Sequence, residues 1–366
     1  MATQVASADA QGAPTIDQAK MGAFMSRALG DMTGWMLSVL CALGDRLGLF
    51  TALAAGPATS DELAARAGVG ARYAREWLSA LASAGYIEYD AASGRFTLPV
   101  EHALVLAFEG GPAFLGGACQ QMAGLARPLD LVTRAFREGG GVAEEAYGDD
   151  LRQGMERMSA TWLDHLLVQA WLPGVDGVTA ALARGARVAD VGCGSGRALV
   201  ALARAFPTSR FVGYDASAAA IARARASAEA AGVANRVRFE RREVRDALPG
   251  AYDLITTFDA LHDFAWPGEA LRAIRAALAP GGTYLLLESN CSERLEENAG
   301  PVGTILYGTS LLYCLPTALA RADDALGTLG LPETRIRALC AEAGLRHVRR
   351  VPIQHPFNAL YEIRPA

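Results

Sequence analysis

The sequence predicts an α/β protein in which a doubly wound, seven-stranded sheet with an antiparallel last strand follows an α-rich front. After Pro173, the apolar runs RVADVG, RFVGYD, VRFERRE, YDLITTF and TYLLLES alternate with helical stretches. Strands and helices that alternate in this way form a parallel sheet covered on both faces. RHVRRVPI and NALYEIRP then flank the turn-like HPF, which predicts a closing antiparallel hairpin.

The front of the chain, residues 21–110, has the pattern of a winged helix. The stretch TSDELAARAGVGARYAREWLSALASAGYIEYDAASGRFTL begins with a helix N-cap at Thr59 or Ser60. The glycines of residues 68–70 separate two helices, and two short strands are joined at residues 90–94. A helix, a turn, a second helix and a β-hairpin together make a winged helix.

A winged helix can bind DNA, or it can serve packing and dimerisation. The second helix, where base-reading side chains would lie, offers Arg72 and Arg75 with Glu76 beside them. The whole chain has a net charge of −5 and no basic tract. Because binding to nucleic acid or to an anionic membrane needs clustered cations, we expect neither partner and favour a homodimer through this domain.

Three further features suggest a cytoplasmic protein. The six cysteines are scattered, without a CxxC motif or zinc-ligand spacing. Residues 1–20 lack the basic start and apolar core of a signal peptide, so we expect a disordered tail there. No uninterrupted apolar stretch reaches the length that a membrane span needs.

The segment VADVGCGSGRALVAL carries the most specific motif. Gly192, Gly194 and Gly196 follow an apolar strand and precede a helix, so the backbone can turn sharply and a ligand can approach closely. Asp190 would direct a carboxylate towards an amino-bearing ligand rather than a pyrophosphate. Asp215, at the end of the next strand, can accept hydrogen bonds from two ribose hydroxyls.

Three segments resemble the motifs of class I S-adenosylmethionine (SAM)-dependent methyltransferases, which have a Rossmann-like fold: VADVGCGSG, GYDAS and ALAPGGTYLLLES. The winged-helix front is similar to that of small-molecule methyltransferases that dimerise through such a domain, among them the plant-type O-methyltransferases. GTSLLYCLPTALA resembles the bacterial subgroup. The resemblance implies SAM as the methyl donor and S-adenosylhomocysteine as the product.

The resemblance also implies a set of cofactor-binding residues. The three glycines would cradle the methionine part of SAM, Asp190 would face its amino group, and Asp215 would hold the ribose. The adenine would be bound by Ala216, by Glu243, where the family more often has Asp, and by the backbone N–H of Val244. Phe258 and Asp259 would lie beside the cofactor, at the carboxyl edge of the sheet.

The segment FDALHDF follows the fourth strand and carries the predicted catalytic pair. In the plant-like enzymes a similar His-Asp pair supplies a general base, which implies that His262 removes the acceptor's proton and that Asp263 fixes its tautomer. Two alternatives stay open: His262 and Asp263 could be half of a metal site, or the pair could be a structural cap. Glu288, at the end of TYLLLES, could orient the acceptor or pair with an arginine.

The remaining predictions concern domains and acceptor. Residues 111–172 are expected to form a helical linker with substrate-pocket helices, and residues 173–366 the SAM-binding domain. Its apolar insertion, residues 291–331, would cap the site with Tyr307, Ser310, Tyr313 and Cys314 in the pocket. Oxygen is the expected methyl acceptor, with carbon, nitrogen and sulfur as alternatives. A SAM-responsive winged-helix transcription regulator is the alternative from another class.

Overall fold

The computed structural model describes residues 16–243, 245–323 and 325–365. The front domain contains five helices and a hairpin: α1 (Gln18–Arg46), α2 (Leu49–Ala54), α3 (Ser60–Ala67), α4 (Ala71–Ser83), β1 (Glu88–Asp90), β2 (Arg95–Thr97) and α5 (Val100–Leu106). Thr59 caps α3, since its hydroxyl accepts a hydrogen bond from the Glu62 N–H and the Glu62 carboxylate accepts one from the Thr59 N–H. The strands β1 and β2 pair antiparallel, so the predicted winged helix is confirmed.

Helix α1 differs from the sequence-based expectation. It begins at Gln18, inside the segment expected to be a disordered tail, while residues 1–15 lie outside the described residues. Its buried residues, Cys41, Ala42 and Gly44, all lie near its end. Large apolar side chains along the rest of the helix are exposed: Met21, Phe24, Met25, Leu29, Met32, Trp35 and Met36. Within one chain, the described residues therefore leave most of α1 without a packing partner.

A helical region connects the winged helix to the sheet. It contains α6 (Gly116–Leu125), α7 (Leu129–Glu138) and α8 (Gly148–Leu163), followed by a π-helical turn at Leu167–Trp171. Helices α6 and α8 pack closely because small residues face the contact. A Cβ atom on Gly124 would lie 2.9 Å from Leu151, and one on Gly154 would lie 2.5 Å from the Gln121 nitrogen.

The last part of the chain forms the seven-stranded sheet. Its elements are α9 (Val178–Arg184), β3 (Arg187–Val191), α10 (Arg197–Ala205), β4 (Arg210–Asp215), α11 (Ala218–Ala230), β5 (Val237–Arg241), β6 (Tyr252–Phe258), α12 (Pro267–Ala277) and β7 (Leu278–Ser289). The strand order is β5-β4-β3-β6-β7-β9-β8, where β8 spans His347–Val351 and β9 spans Asn358–Arg364. Strand β9 pairs antiparallel with β7 and β8, as predicted. The carboxyl ends of β3, β4, β6 and β7 therefore meet at one edge.

The insertion after β7 forms a cap on the helical region. It consists of α13 (Pro301–Thr309), a π-helical turn (Ser310–Cys314) and α14 (Leu315–Leu319), and α15 (Glu333–Glu342) follows it. By length and composition, Pro301–Leu319 could cross a membrane, and a third of it is buried in the fold. The Tyr147 hydroxyl donates to the Leu312 carbonyl (2.6 Å), and its ring packs edge-on against that of Tyr313.

Candidate active site

The glycine loop after β3 has a backbone that only glycine adopts readily. Gly192, Gly194 and Gly196 have φ angles of 75°, 52° and 75°, in the left-handed region. A Cβ atom on Gly196 would also lie 2.4 Å from the Phe239 ring, so a larger residue would have to displace that ring. Without side chains at these three positions, a ligand at the carboxyl end of β3 can approach the loop backbone closely.

Asp190 is a buried carboxylate on β3, only 2% exposed. Its Oδ1 accepts a hydrogen bond of 2.7 Å from the hydroxyl of Thr256, its register partner on β6. Burial raises the pKa of Asp190 to about 7, against the hydrogen bond from Thr256 and with added repulsion from Asp215. Among the described residues no cationic side chain pairs with Asp190, so a bound ammonium group would satisfy it.

Asp215 ends β4 and also fixes the glycine loop. Its Oδ2 accepts from the Gly194 N–H at 3.0 Å, and its Oδ1 accepts from the Ser217 N–H at 2.8 Å. These bonds place the carboxylate beside the loop, where the sequence predicted the ribose. Ala216 is half-buried next to it.

Glu243, predicted to bind the adenine, has a partner that the sequence analysis did not predict. The Glu243 carboxylate forms an ion pair of 3.0 Å with Arg321, which follows the cap helix α14. Glu243 thus contacts the cap, and Val244 lies outside the described residues. Phe258 packs against the core, while Asp259 has a positive φ of 54° and its Oδ1 accepts from the Asn358 side-chain amide at 3.0 Å.

His262 lies in a short turn directly after β6 and is 3% exposed. Its Nδ1 is 2.7 Å from Oε2 of Glu288, the penultimate residue of β7, which is fully buried. The other carboxylate oxygen of Glu288 accepts from the His262 backbone N–H at 3.1 Å, and Oε2 also accepts from the Ser289 N–H at 3.1 Å. Glu288 therefore holds His262 by its backbone and by its ring, and it fixes Nδ1 as the protonated nitrogen.

This geometry corrects two predictions. Asp263 was expected to fix the tautomer of His262, but its Oδ1 lies 3.4 Å from Nε2 and has no hydrogen-bond partner among the described residues. Glu288 was expected to orient the acceptor or pair with an arginine, and it pairs with His262 instead. The two carboxylates thus flank opposite nitrogens of the ring, because β7 lies next to β6 in the sheet and brings Glu288 to Nδ1.

The two carboxylates beside His262 stabilise its protonated form, the imidazolium. Burial opposes a charge on His262, but the carboxylates of Asp263 and Glu288 outweigh it, and the pKa of His262 is raised well above its usual value. Burial also raises the pKa of Asp263, against the attraction of His262. A proton that reaches Nε2 is therefore stabilised by two carboxylates.

The four residues predicted for the pocket lie in different surroundings. Cys314 is 2% exposed, and its sulfur lies within 4.8 Å of ligand atoms on His262 and Asp263. Tyr313 is buried against Tyr147. Tyr307 and Ser310 instead bond within the cap: the Tyr307 hydroxyl accepts from the Asn298 amide, and that of Ser310 accepts from the Thr328 N–H.

Three residues of the site were missed by the sequence analysis. Thr256 could have been found, since a polar residue in the buried run YDLITTF needs a partner on a neighbouring strand. Asn358 and Arg321 gave no such signal, because their partners are distant in sequence and depend on the position of β9 and on the path of the cap.

Comparisons with known proteins agree with this architecture. Residues 189–284 match the model of a methyltransferase domain, and residues 35–107 match that of an Rv2258c-like winged HTH domain. The chain is 30% identical to acetylserotonin O-methyltransferase of Mus musculus, over 92% of this chain and 88% of the relative. It is also 30% identical to 3-hydroxy-5-methyl-1-naphthoate 3-O-methyltransferase of Streptomyces sahachiroi, over 72% and 76% of the two chains.

Solved structures show the same fold. Mitomycin 7-O-methyltransferase superposes with a TM-score of 0.73 at 20% identity, covering 96% of this chain and all of that one. Human N-acetylserotonin methyltransferase in complex with SAM superposes with a TM-score of 0.70 at 20% identity, covering 97% of this chain and all of that one.

Proposed function

Because the chain belongs to the family of SAM-dependent O-methyltransferases that includes acetylserotonin O-methyltransferase, we propose that it methylates a hydroxyl group of a small aromatic metabolite with His262 as the general base. The observation that carries this proposal is the contact of 2.7 Å between His262 Nδ1 and the buried Glu288. Because Nδ1 faces Glu288, Nε2 is the nitrogen that carries a lone pair at pH values above the raised pKa of His262, on the side of the ring that faces the cap.

The cofactor proposal rests on residues around the glycine loop. Asp190 would bind the ammonium group of SAM, because its buried carboxylate has no cationic partner among the described side chains. Asp215 would bind the ribose beside Gly194, whose N–H it already accepts. SAM supplies an electrophilic methyl group on a sulfonium ion. The protein's task is then to align the acceptor with that methyl group and to exclude water.

His262 would remove the acceptor's proton as the oxygen attacks. The proton moves from the hydroxyl to Nε2, and the resulting imidazolium is stabilised by Glu288 on one side and Asp263 on the other. General base catalysis of this kind contributes about 10² to 10⁴ in rate. Glu288 acts through the histidine, since both of its oxygens are bonded within the protein.

The acceptor class follows from the cap and from the relatives. Away from His262 and Asp263, Cys314 belongs to an apolar cluster in which Leu312 and Tyr313 pack with Tyr147 of the helical region. An apolar enclosure favours an aromatic acceptor with one hydroxyl directed to the base. Relatives named for acetylserotonin and for a hydroxynaphthoate point to phenolic hydroxyls on fused rings.

The test uses SAM with an isotopically labelled methyl group. The protein is incubated with hydroxylated indoles, hydroxynaphthoates and a small-molecule extract of its source organism, and the products are followed by mass spectrometry. We expect a labelled O-methyl product with wild type and with His347→Ala, an exposed histidine on β8, and none with His262→Ala. Full activity of His262→Ala would refute the base assignment, and label on carbon, nitrogen or sulfur would refute O-methylation.

Three further properties belong to this proposal. The exposed apolar side chains of α1 are best covered by a second copy of the chain, so we propose a homodimer through the winged-helix domain. The cysteines are free thiols, which supports action in a reducing cytoplasm. On α4, Arg72 pairs with Glu76, which reduces the charge available for DNA.

A further inference from the structure

Three chemically different donor atoms meet on the cap side of His262. The imidazole of His262, the carboxylate of Asp263 and the thiol of Cys314 offer ligand atoms that lie within 4.8 Å of one another. Neutral imidazole, carboxylate and thiolate are the three ligand types that zinc takes in proteins. Cys314 comes from the cap, whereas His262 and Asp263 follow β6, so the fold brings this set together from two distant segments.

The spacing of two of these donors fits a tetrahedral ion. His262 Nε2 and Asp263 Oδ1 are 3.4 Å apart, and Oδ1 is inaccessible and has no hydrogen-bond partner in the part of the chain that the structure describes. Tetrahedral zinc, with bonds of about 2.0 to 2.1 Å to nitrogen and oxygen, holds two such ligands about 3.3 to 3.4 Å apart. The separation is long for a hydrogen bond and suits two ligands of one cation.

The surroundings of the donors have the features of a metal site. A histidine that binds a metal usually donates its other ring N–H to a carboxylate, and Nδ1 of His262 is 2.7 Å from Glu288. Cys314 ends the π-helical turn Ser310–Cys314, and such turns inside helices are frequent at functional sites. Three protein donors would leave a fourth position of the ion on the open side.

We propose that His262, Asp263 and Cys314 bind a divalent cation of the zinc class, and that the bound cation inhibits methyl transfer by taking the lone pair of His262 Nε2. The inhibitory part rests on the function proposed above, since it requires His262 to act as a base. The binding part does not, because it depends only on the three donors. Proton removal and cation binding exclude each other, since both use the same lone pair.

Cation binding is tested directly on the full chain after removal of metals with a chelator. The protein is titrated with Co²⁺ and followed by absorption, since a cobalt-bound thiolate gives a charge-transfer band in the near ultraviolet. We expect saturation at one equivalent and displacement by Zn²⁺. Cys314→Ser should lose the band, whereas the matched control Cys291→Ser, whose sulfur contacts the Leu329 carbonyl, should keep it. Absence of the band, or its persistence in Cys314→Ser, would overturn the site.

Inhibition is tested with the labelled-methyl assay on the same preparations. Activity of the metal-free protein should fall at least tenfold as Zn²⁺ fills the site, in parallel with cobalt occupancy, and a chelator should restore it. Activity that rises with Zn²⁺ would overturn inhibition and assign the ion to catalysis. A metal-free protein that transfers methyl groups but binds no cobalt refutes this inference alone. One that binds cobalt but never transfers a methyl group refutes the proposed function alone.

Discussion

Replacement of Glu288 by glutamine tests the orientation of His262 most directly. The Glu288 carboxylate accepts three hydrogen bonds, from the backbone N–H groups of His262 and Ser289 and from the His262 ring. A carboxamide must turn its NH₂ group towards one of these donors. If NH₂ faces the ring, Nδ1 must become the acceptor and the proton moves to Nε2, which removes the lone pair that the proposed base uses.

The expected loss can be estimated from these bonds. If the wrong tautomer removes general base catalysis, kcat falls by about 10² to 10⁴, or about 2.7 to 5.4 kcal/mol in activation free energy. A buried donor that faces another donor also costs about 1 to 3 kcal/mol of stability. SAM affinity should stay within threefold of wild type, since the bonds of Glu288 are all internal.

The assay measures kcat with the acceptor found in the labelled-methyl screen, SAM affinity by calorimetry, and the melting temperature. Glu333→Gln is the matched control, because this glutamate pairs with Arg337 at the surface and its replacement should leave kcat unchanged. A Glu288→Gln variant with kcat within threefold of wild type would refute the tautomer argument. Equal losses in kcat and SAM affinity would point to a general structural role instead.

Three other variants address the cofactor site and the interface. Asp215→Ala should weaken SAM binding about 10- to 100-fold by calorimetry, since it removes a charged hydrogen-bond acceptor, and unchanged affinity would exclude Asp215 from the site. Because the pKa of Asp190 is raised to about 7, its carboxylate is ionised above that pH, so SAM affinity should be full there and fall up to tenfold per unit below it. Asp190→Asn should bind SAM weakly without this pH dependence, and a wild-type affinity that is constant across pH 7 would contradict the assignment. Trp35→Glu should convert the dimer into a folded monomer in sedimentation equilibrium, whereas a wild-type monomer would contradict the interface.

The glycine loop and the two acids proposed to bind the cofactor could be located from the sequence, because the backbone conformation and strand ends that they need are encoded by short segments. A left-handed backbone at Gly192, Gly194 and Gly196 restricts the residue type, and Asp190 and Asp215 lie in short motifs as the penultimate residue of β3 and the last residue of β4. The sheet followed from the alternation of apolar runs with helices, and the hairpin of β8 and β9 followed from two such runs around a turn.

On the acceptor side, the sequence predicted the residues but not which of them pair. His262 was found by its motif, but its partner Glu288 comes from the next strand of the sheet, and Asp263 was the nearer acid in sequence. On the cofactor side, the ion pair of Glu243 with Arg321 was missed for the same reason, since Arg321 reaches Glu243 from the cap, whose path no local pattern fixes. Pairings between distant segments depend on packing, and the sequence of either segment alone does not contain them.

The position of β9 has a consequence for biosynthesis. This strand, formed by the last part of the described chain, lies between β7 and β8, and its first residue, Asn358, holds Asp259 close to His262. A nascent polypeptide that has emerged from the ribosome only as far as β7 already contains the glycine loop, His262 and Glu288. It still exposes the hydrogen-bonding edge of β7, which is prone to pairing with other chains. Chaperones would therefore have to shield that edge until translation reaches β9.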